Sequence, residues 1–196
     1  AIAAYEQALA IIPESEVVLS NLGLVYWKLN KYDEAKLRIK KALKIRKSFP
    51  EATYNLGKIY ESENKIDNSI FYFREAIKLR KNYLDAIVDL SICLDKKGNT
   101  IEAIKLLENS IDKKINSPLI IKNLIYLKGK ICDWSKQNEI DNFIKDLGIK
   151  GTAISPMGLM AYEDSPDKHL IRAERYWEQN FKTNSTEMSM NINKKI

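Results

Sequence analysis

Four residues at a single spacing offer the most specific chemistry in the chain. Asn21, Asn55, Asp89 and Asn123 recur at equal intervals. An asparagine amide carries a donor and an acceptor, so it can pair with both the C=O and the N–H of a peptide bond. A ladder of such amides would hold an extended polypeptide by its backbone, with little demand on side-chain identity. The same residue types also cap turns and bond neighbouring helices within a stack. The residues alone leave both readings open. An ionised Asp89 accepts but cannot donate, so it departs from the pattern at one rung.

Other candidates carry less. Cys93 and Cys132 are the two cysteines of 196 residues. They form neither a disulfide framework nor a metal-ligand spacing, and both are expected to be packed thiols. The single histidine, His169, excludes His-rich metal sites and leaves little His-based acid–base chemistry. It is expected to be a solvated surface residue. No carboxylate pair, nucleophile–base pair, ligand cluster or Gly-rich phosphate loop appears, so no catalytic, metal or cofactor residue is assigned.

Composition narrows the class. With 45% hydrophobic residues a packed core is expected. The 32 basic and 26 acidic residues leave a net charge of +6. Their signs alternate, as in Tyr32-Asp33-Glu34-Ala35-Lys36, which predicts a solvated mixed surface and no nucleic-acid partner. No apolar run approaches the ~18 residues of a membrane span, and no signal-peptide pattern is present. No membrane partner and a cytoplasmic location are therefore expected. Ala1 opens directly in a helical pattern, so the chain reads as a fragment of a longer protein.

The elements that would position the Asn/Asp column follow from the same interval. Leu22-Gly23, Leu56-Gly57 and Leu90-Ser91 recur with it, as do Tyr26, Tyr60 and Leu94. Ala1, Ala35, Ser69 and Ala103 align, and so do Tyr5, Ile39, Phe73 and Leu107. Ala8, Ala42, Ala76 and Ser110 form a further column. A small residue every 34 positions facing a large one is what two antiparallel helices need at their closest approach. Leu29-Asn30-Lys31-Tyr32-Asp33 and Lys97-Gly98-Asn99-Thr100 supply the turns between them.

Asn21-Leu22-Gly23, Tyr26, Ala35, Ile39, Ala42 and Pro13 resemble the tetratricopeptide repeat family. The later units carry Lys47 and Lys81 where the family usually has that proline. The resemblance implies an all-α, right-handed superhelix of helix pairs, one partial and three full units over residues 1–115. Residue 1 falls in a second helix, so Ile2, Tyr5 and Leu9 are expected to lack a covering helix. The resemblance also places the Asn/Asp column on the concave, partner-binding surface, with extended peptides or proteins as partners. Ser20 and Leu24 occupy positions where chaperone-binding members carry a Lys/Asn carboxylate clamp, which argues against that use. Trp27 is read as packing, with groove lining the alternative.

Beyond the repeats, Ser117-Pro118 predicts a capping helix within 116–131, with Leu124 and Leu127 on its apolar side. Residues 132–181 predict a helical lead-in: Ser135 as N-cap, then Ile140, Phe143, Ile144 and Leu147 at helical spacing, and Gly148 as C-cap. Asp164-Ser165-Pro166 then starts a helix bearing a Leu170–Ala173–Trp177 stripe. Residues 182–196 read as a polar linker. Cys132-Asp133-Trp134-Ser135, followed by Ser155-Pro156-Met157-Gly158-Leu159-Met160-Ala161-Tyr162-Glu163-Asp164, resembles the entry to the catalytic region of protein O-linked N-acetylglucosamine transferases. These form glycosyltransferase family 41, with its SPINDLY-like members. That resemblance implies a parent enzyme moving sugar from a nucleotide-sugar donor such as UDP-GlcNAc to Ser or Thr hydroxyls. It also implies that the Asn column holds the acceptor, and that the chain alone, without the catalytic lobes, is inactive. Ser155-Pro156 stands where animal members have His-Pro, so no histidine role carries over. The competing expectation is a non-enzymatic scaffold for protein–protein interaction.

Overall fold

The computed structural model describes residues 1–113, 115, 117–133, 135, 144–151, 153–155, 159–160 and 163–192, with side chains to residue 181. The chain divides into two compact units, Ala1–Ile115 and Asn116–Ile196. Both are helical, and the fold is an all-α helix-pair repeat.

The first unit contains α1 (Ile2–Ile11), α2 (Glu16–Lys28), α3 (Tyr32–Ile45), α4 (Pro50–Ser62), α5 (Ile66–Leu79), α6 (Leu84–Lys96) and α7 (Thr100–Asp112). Helices α2, α4 and α6 each have 13 residues, and each starts one sequence period after the last. Each packs on the helix that follows it, and α3 and α5 also pack on the next first helix. The expected small-to-large contact is present. A Cβ added at Gly23 would lie 2.5 Å from Ile39 Cγ1, and one at Gly57 would lie 2.6 Å from the Phe73 ring. Ile39, Phe73 and the equivalent Leu107 are all fully buried, as is Ser91 in the third repeat.

The turns inside the pairs obey the period as closely as the helices. Asn30, Asn64 and Gly98 adopt φ of 59°, 58° and 90°. In each case the following N–H bonds back at 2.9 Å: Lys31 to Tyr26 O, Lys65 to Tyr60 O and Asn99 to Leu94 O. Only Gly, and to a lesser degree Asn, enters this left-handed region cheaply, which is why these residue types stand here. Ser15 caps α2 by accepting from Val18 N, and Pro50 opens α4 where its missing N–H costs nothing. On α1 no residue is buried; Ile2, Tyr5 and Leu9 are half-buried, and Ile11 is 81% exposed.

The second unit begins with α8 (Pro118–Lys130), one period after α6 and again 13 residues long. Ser117 Oγ accepts from Leu119 N, and Leu124 and Leu127 are buried as expected. The helix ends in the same turn as the repeats: Cys132 has φ 54°, and Asp133 N donates to Lys128 O at 2.9 Å. The segment expected to be a cap therefore has the length, phase and exit turn of a fourth first helix. Trp134, Ile140, Phe143, Pro156, Met157, Gly158, Ala161 and Tyr162 lie outside the described residues. Ile144 and Leu147 are buried, and Gly148 has φ 74° with Ile154 Cγ1 2.5 Å from where a Cβ would stand.

Helix α9 (Pro166–Ile192) starts at the expected proline but runs through Lys182–Ile192, which the polar composition assigns to a linker. Those residues are polar, yet no Gly or Pro follows Pro166 to stop the helix. The Leu170–Ala173–Trp177 stripe faces outward, with Leu170 59% and Trp177 50% exposed. The inward side chain is Arg172, fully buried. Its Nε donates to Leu147 O at 2.8 Å, its Nη2 to Ile144 O at 2.9 Å, and its Nη1 pairs with Glu163 Oε2 at 2.7 Å.

Candidate functional site: a groove on the first repeats

A concavity of about 590 Å³ with mixed polar and apolar lining is built on α2 and α4. Ser20, Asn21 and Leu24 form its α2 wall; Tyr54 and Asn55 rise from α4. The segments that follow α3 and α5 close its rim with Arg46 and Phe49, then Arg80 and Tyr83. These rim pairs repeat with the period of the helices: Arg46 Cζ lies 4.8 Å from the Phe49 ring centre and Arg80 Cζ 4.6 Å from that of Tyr83. Cation–π attraction holds each guanidinium against its ring. Both arginines also have acidic neighbours, Glu16 for Arg46 at 3.9 Å and Glu51 for Arg80, so the rim is charge-balanced.

The hydroxyls of the groove stay neutral. Burial pushes the Tyr83 phenol up to about 12, with Glu51 adding to the effect. Burial, then the hydrogen bond to Asp89, pushes the Tyr54 phenol upward as well. Neither ring ionises near neutral pH, so both present a donor and acceptor on an apolar body.

The four column residues diverge. Asn21 is half-exposed on the groove wall and makes no side-chain hydrogen bond among the described residues. Asn55 also lines the groove, but it is only 8% exposed, and its Nδ2 donates to Ser20 Oγ at 3.4 Å. Asp89 accepts from Tyr54 Oη at 2.8 Å and pairs with Lys58 Nζ at 3.1 Å. Asn123 is half-exposed on α8, in the second unit. The column is thus not uniform: one amide is open, one carries a bond inside the stack, and the acidic rung is occupied by its neighbours.

A second regularity explains this. Asn55 to Ser20, Tyr54 to Asp89, Trp27 Nε1 to Ser62 Oγ and Lys96 Nζ to Glu61 Oε1 all join residues 35 apart, one repeat plus one position. These bonds sew consecutive first helices together. Trp27 belongs to this seam and packs on the Leu56 cluster, in line with the packing reading. Between α4 and α6 the seam is ionic. Burial opposes the charges of both Lys58 and Glu61, but Lys58 and Lys96 hold Glu61 below its ordinary value, and Glu61 and Asp89 hold Lys58 above its own. Sequence reasoning missed both this seam and the Arg–aromatic rim; an Arg-x-x-aromatic motif at 46–49 and 80–83 was the available signal for the rim.

Two further expectations are corrected. Cys132 is exposed, because the turn places it at a tip; Cys93 alone is a buried thiol, pushed up to about 12 by burial. His169 is half-buried and bonded rather than free in solvent: its Nε2 donates to Glu163 O at 2.6 Å, and its Nδ1 lies 3.4 Å from Arg172 Nη1. Among the described residues no cluster of three or more metal-binding side chains occurs, and no helix is long and apolar enough to cross a membrane.

Residues 18–49 and 50–83 each match the family model of the tetratricopeptide repeat. No curated protein matches the chain. Among solved structures, a crystal structure of MamA is similar at TM-score 0.62 and 23% identity, covering 74% of this chain and 84% of that one. A second MamA structure gives 0.60 and 22%, covering 84% and 85%. The Pseudomonas aeruginosa protein pilF gives 0.59 and 20%, covering 75% of this chain and 67% of that one. These likenesses concern the fold. The third repeat escapes the family model, with Ser91, Leu94 and Ser110 in columns where the first two carry Gly, Tyr and Ala, yet its helices keep the same phase. Residues 18–83 carry two tetratricopeptide repeats, and the helix pair that follows them keeps the same phase.

Proposed function

We propose that the first unit is a protein-binding scaffold whose groove receives an extended polypeptide segment. The observation that supports this most directly is the open amide of Asn21, set on the wall of a concavity rimmed by two Arg–aromatic pairs. Tetratricopeptide repeats as a class bind proteins or peptides. Here Asn21 supplies both halves of a peptide-bond clamp, Asn55 offers its remaining carbonyl oxygen, and Tyr54 and Tyr83 supply neutral, partly apolar walls. Backbone recognition of this kind is tolerant of sequence.

Asn21→Ala removes a neutral hydrogen-bond pair worth about 0.5–1.5 kcal/mol. It should weaken unrelated extended peptides by a similar factor, about 2- to 12-fold, and leave the melting temperature unchanged. Asn55→Ala should lower the melting temperature through its bond to Ser20. Unaltered peptide affinity in folded Asn21→Ala overturns the groove reading.

The resemblance of residues 132–164 to glycosyltransferase family 41 adds a narrower reading. In it the bound segment is an acceptor, and a nucleotide-sugar donor is used by catalytic lobes elsewhere in the parent. Its test is the reading frame downstream of Ile196: nucleotide-sugar lobes support it, and a stop codon there overturns it.

A further inference from the structure

The charge that alternates along the sequence does not alternate in space. Residues 31–47 hold eight basic and two acidic side chains, a net charge of +6 equal to that of the whole chain. Most of them lie on α3. Its inward stripe is Ala35, Ile39 and Ala42, each fully buried. At 3.6 residues per turn the opposite side of the helix carries, after Asp33 and Glu34 in its first turn, Leu37, Lys40, Lys41 and Lys44, and all are exposed. Leu37 is 65% exposed among these lysines, and its counterpart one repeat on, Phe71, is 58% exposed.

These lysines differ from their counterparts one repeat on. Arg74 pairs with Glu102 and Lys78 with Glu75, so the outward face of α5 is neutralised within the chain. Lys40, Lys41 and Lys44 have no acidic partner among the described residues. Their side lies away from the core and shares no residue with the groove lining. It is a second surface, and the inference does not rest on the groove reading.

We infer that the outward face of α3 docks an acidic, leucine-bearing protein segment, with Lys40, Lys41 and Lys44 pairing its carboxylates and Leu37 covered by its apolar side chains. Charge complementarity sets the sign of the partner, and Leu37 sets the class. Phosphate backbones offer nothing to an aliphatic side chain, so nucleic acid leaves Leu37 exposed. A bilayer-surface helix must lay a wide apolar face into the lipid, and α3 has its own apolar face buried in the core.

The test uses the full chain and a fluorescein-labelled peptide of Glu-Glu-Leu repeats, followed by anisotropy at low and high salt. Saturable binding that weakens with salt is expected. The variant Lys40→Ala/Lys41→Ala/Lys44→Ala alters only exposed positions, and circular dichroism should confirm its fold. It should bind about 3- to 150-fold more weakly. Leu37→Ser should weaken binding at both salt concentrations, whereas Asn21→Ala should not. The inference is overturned by an absence of saturable binding, by an unchanged affinity in the triple variant, or by indifference to Leu37→Ser. It is equally overturned if duplex DNA or phosphatidylserine vesicles bind through the same lysines as tightly as the peptide.

Discussion

The closest approach within each helix pair can be tested by exchanging one repeat's solution for another's. In the second repeat a Cβ on Gly57 would stand 2.6, 2.7 and 3.3 Å from three atoms of the Phe73 ring. The ring is fully buried, stiff and enclosed, so it has nowhere to swing. Overpacking of this kind costs about 1–3 kcal/mol, and the enclosed ring places Gly57→Ala near the upper end. Alanine returns about 1 kcal/mol of helix propensity, which leaves a net loss of about 2 kcal/mol. Phe73→Leu alone leaves a partial void and should cost about 1 kcal/mol, well below a full truncation to Ala.

The third repeat shows how the two changes fit together. It carries Ser91 and Leu107 in these columns, both fully buried. A leucine is narrower than a ring at this level, so Gly57→Ala/Phe73→Leu should lose about 1–2 kcal/mol, less than the sum of the singles. Urea unfolding followed by circular dichroism gives the four free energies of the cycle. A coupling of at least about 1 kcal/mol is expected, whereas independent sites add to within about 0.5 kcal/mol. Additivity would refute the idea that glycine stands here because of the facing ring.

Four further outcomes follow from the geometry. At Gly98, with φ 90° and no atom within 4 Å of a Cβ, Gly98→Ala should cost about 1–2 kcal/mol through backbone strain alone, and Cys132→Asn at φ 54° should raise the melting temperature of the second unit. Arg172→Met leaves Glu163 without its buried counter-charge and two carbonyls without a donor, so a loss of about 3–5 kcal/mol is expected, read by hydrogen exchange in residues 144–172. Burial raises the carboxyls of Glu61, Glu63 and Glu163, but their lysine and arginine neighbours outweigh it and hold all three below the ordinary 4.5. The unfolded chain therefore binds protons first, and stability should be level near neutrality and fall as pH drops below about 4.5. A thermal midpoint that rises on acidification would contradict this.

Most of the fold was legible because tetratricopeptide packing writes itself into columns. Gly23 and Ile39, or Ala35 and Ala42, are forced by the distance between two helix axes, and that distance recurs in every repeat. The start of α8 at Pro118 and of α9 at Pro166 was readable for an equally local reason, a serine or Asp-Ser followed by proline. What escaped the sequence depends on non-local partners. The inward turn of Arg172 is fixed by carbonyls of Leu147 and Ile144, more than twenty residues earlier, and that network also draws in His169. Nothing in Leu170–Ala173–Trp177 announces that the polar side of α9 is the buried one. Cys132 misleads because its residue type suggests burial, while its phase in the period, shared with Asn30, Asn64 and Gly98, assigns it to an exposed turn. Phase was the better guide.

The Asn/Asp column shows where periodicity stops being informative about function. Equal spacing guarantees equal placement on successive first helices, but a solenoid needs bonds between those helices as much as a ligand needs bonds from them. The seam of bonds between first helices draws on the same columns: Asn55 reaches Ser20, and Tyr54 reaches Asp89. A side chain committed to its neighbour is rigid and well aimed, yet it has fewer free lone pairs and donors for a partner. Asn21 carries no such commitment among the described residues, although it has the same residue type and the same place on its helix as Asn55. Its amide keeps both its donors and its acceptor, so a polypeptide laid along the groove could add one more set of bonds to a pattern already built. The rung most available for binding is thus decided by which neighbours claim it and not by the residue type. For that reason Asn21→Ala and Asn55→Ala should separate affinity from stability.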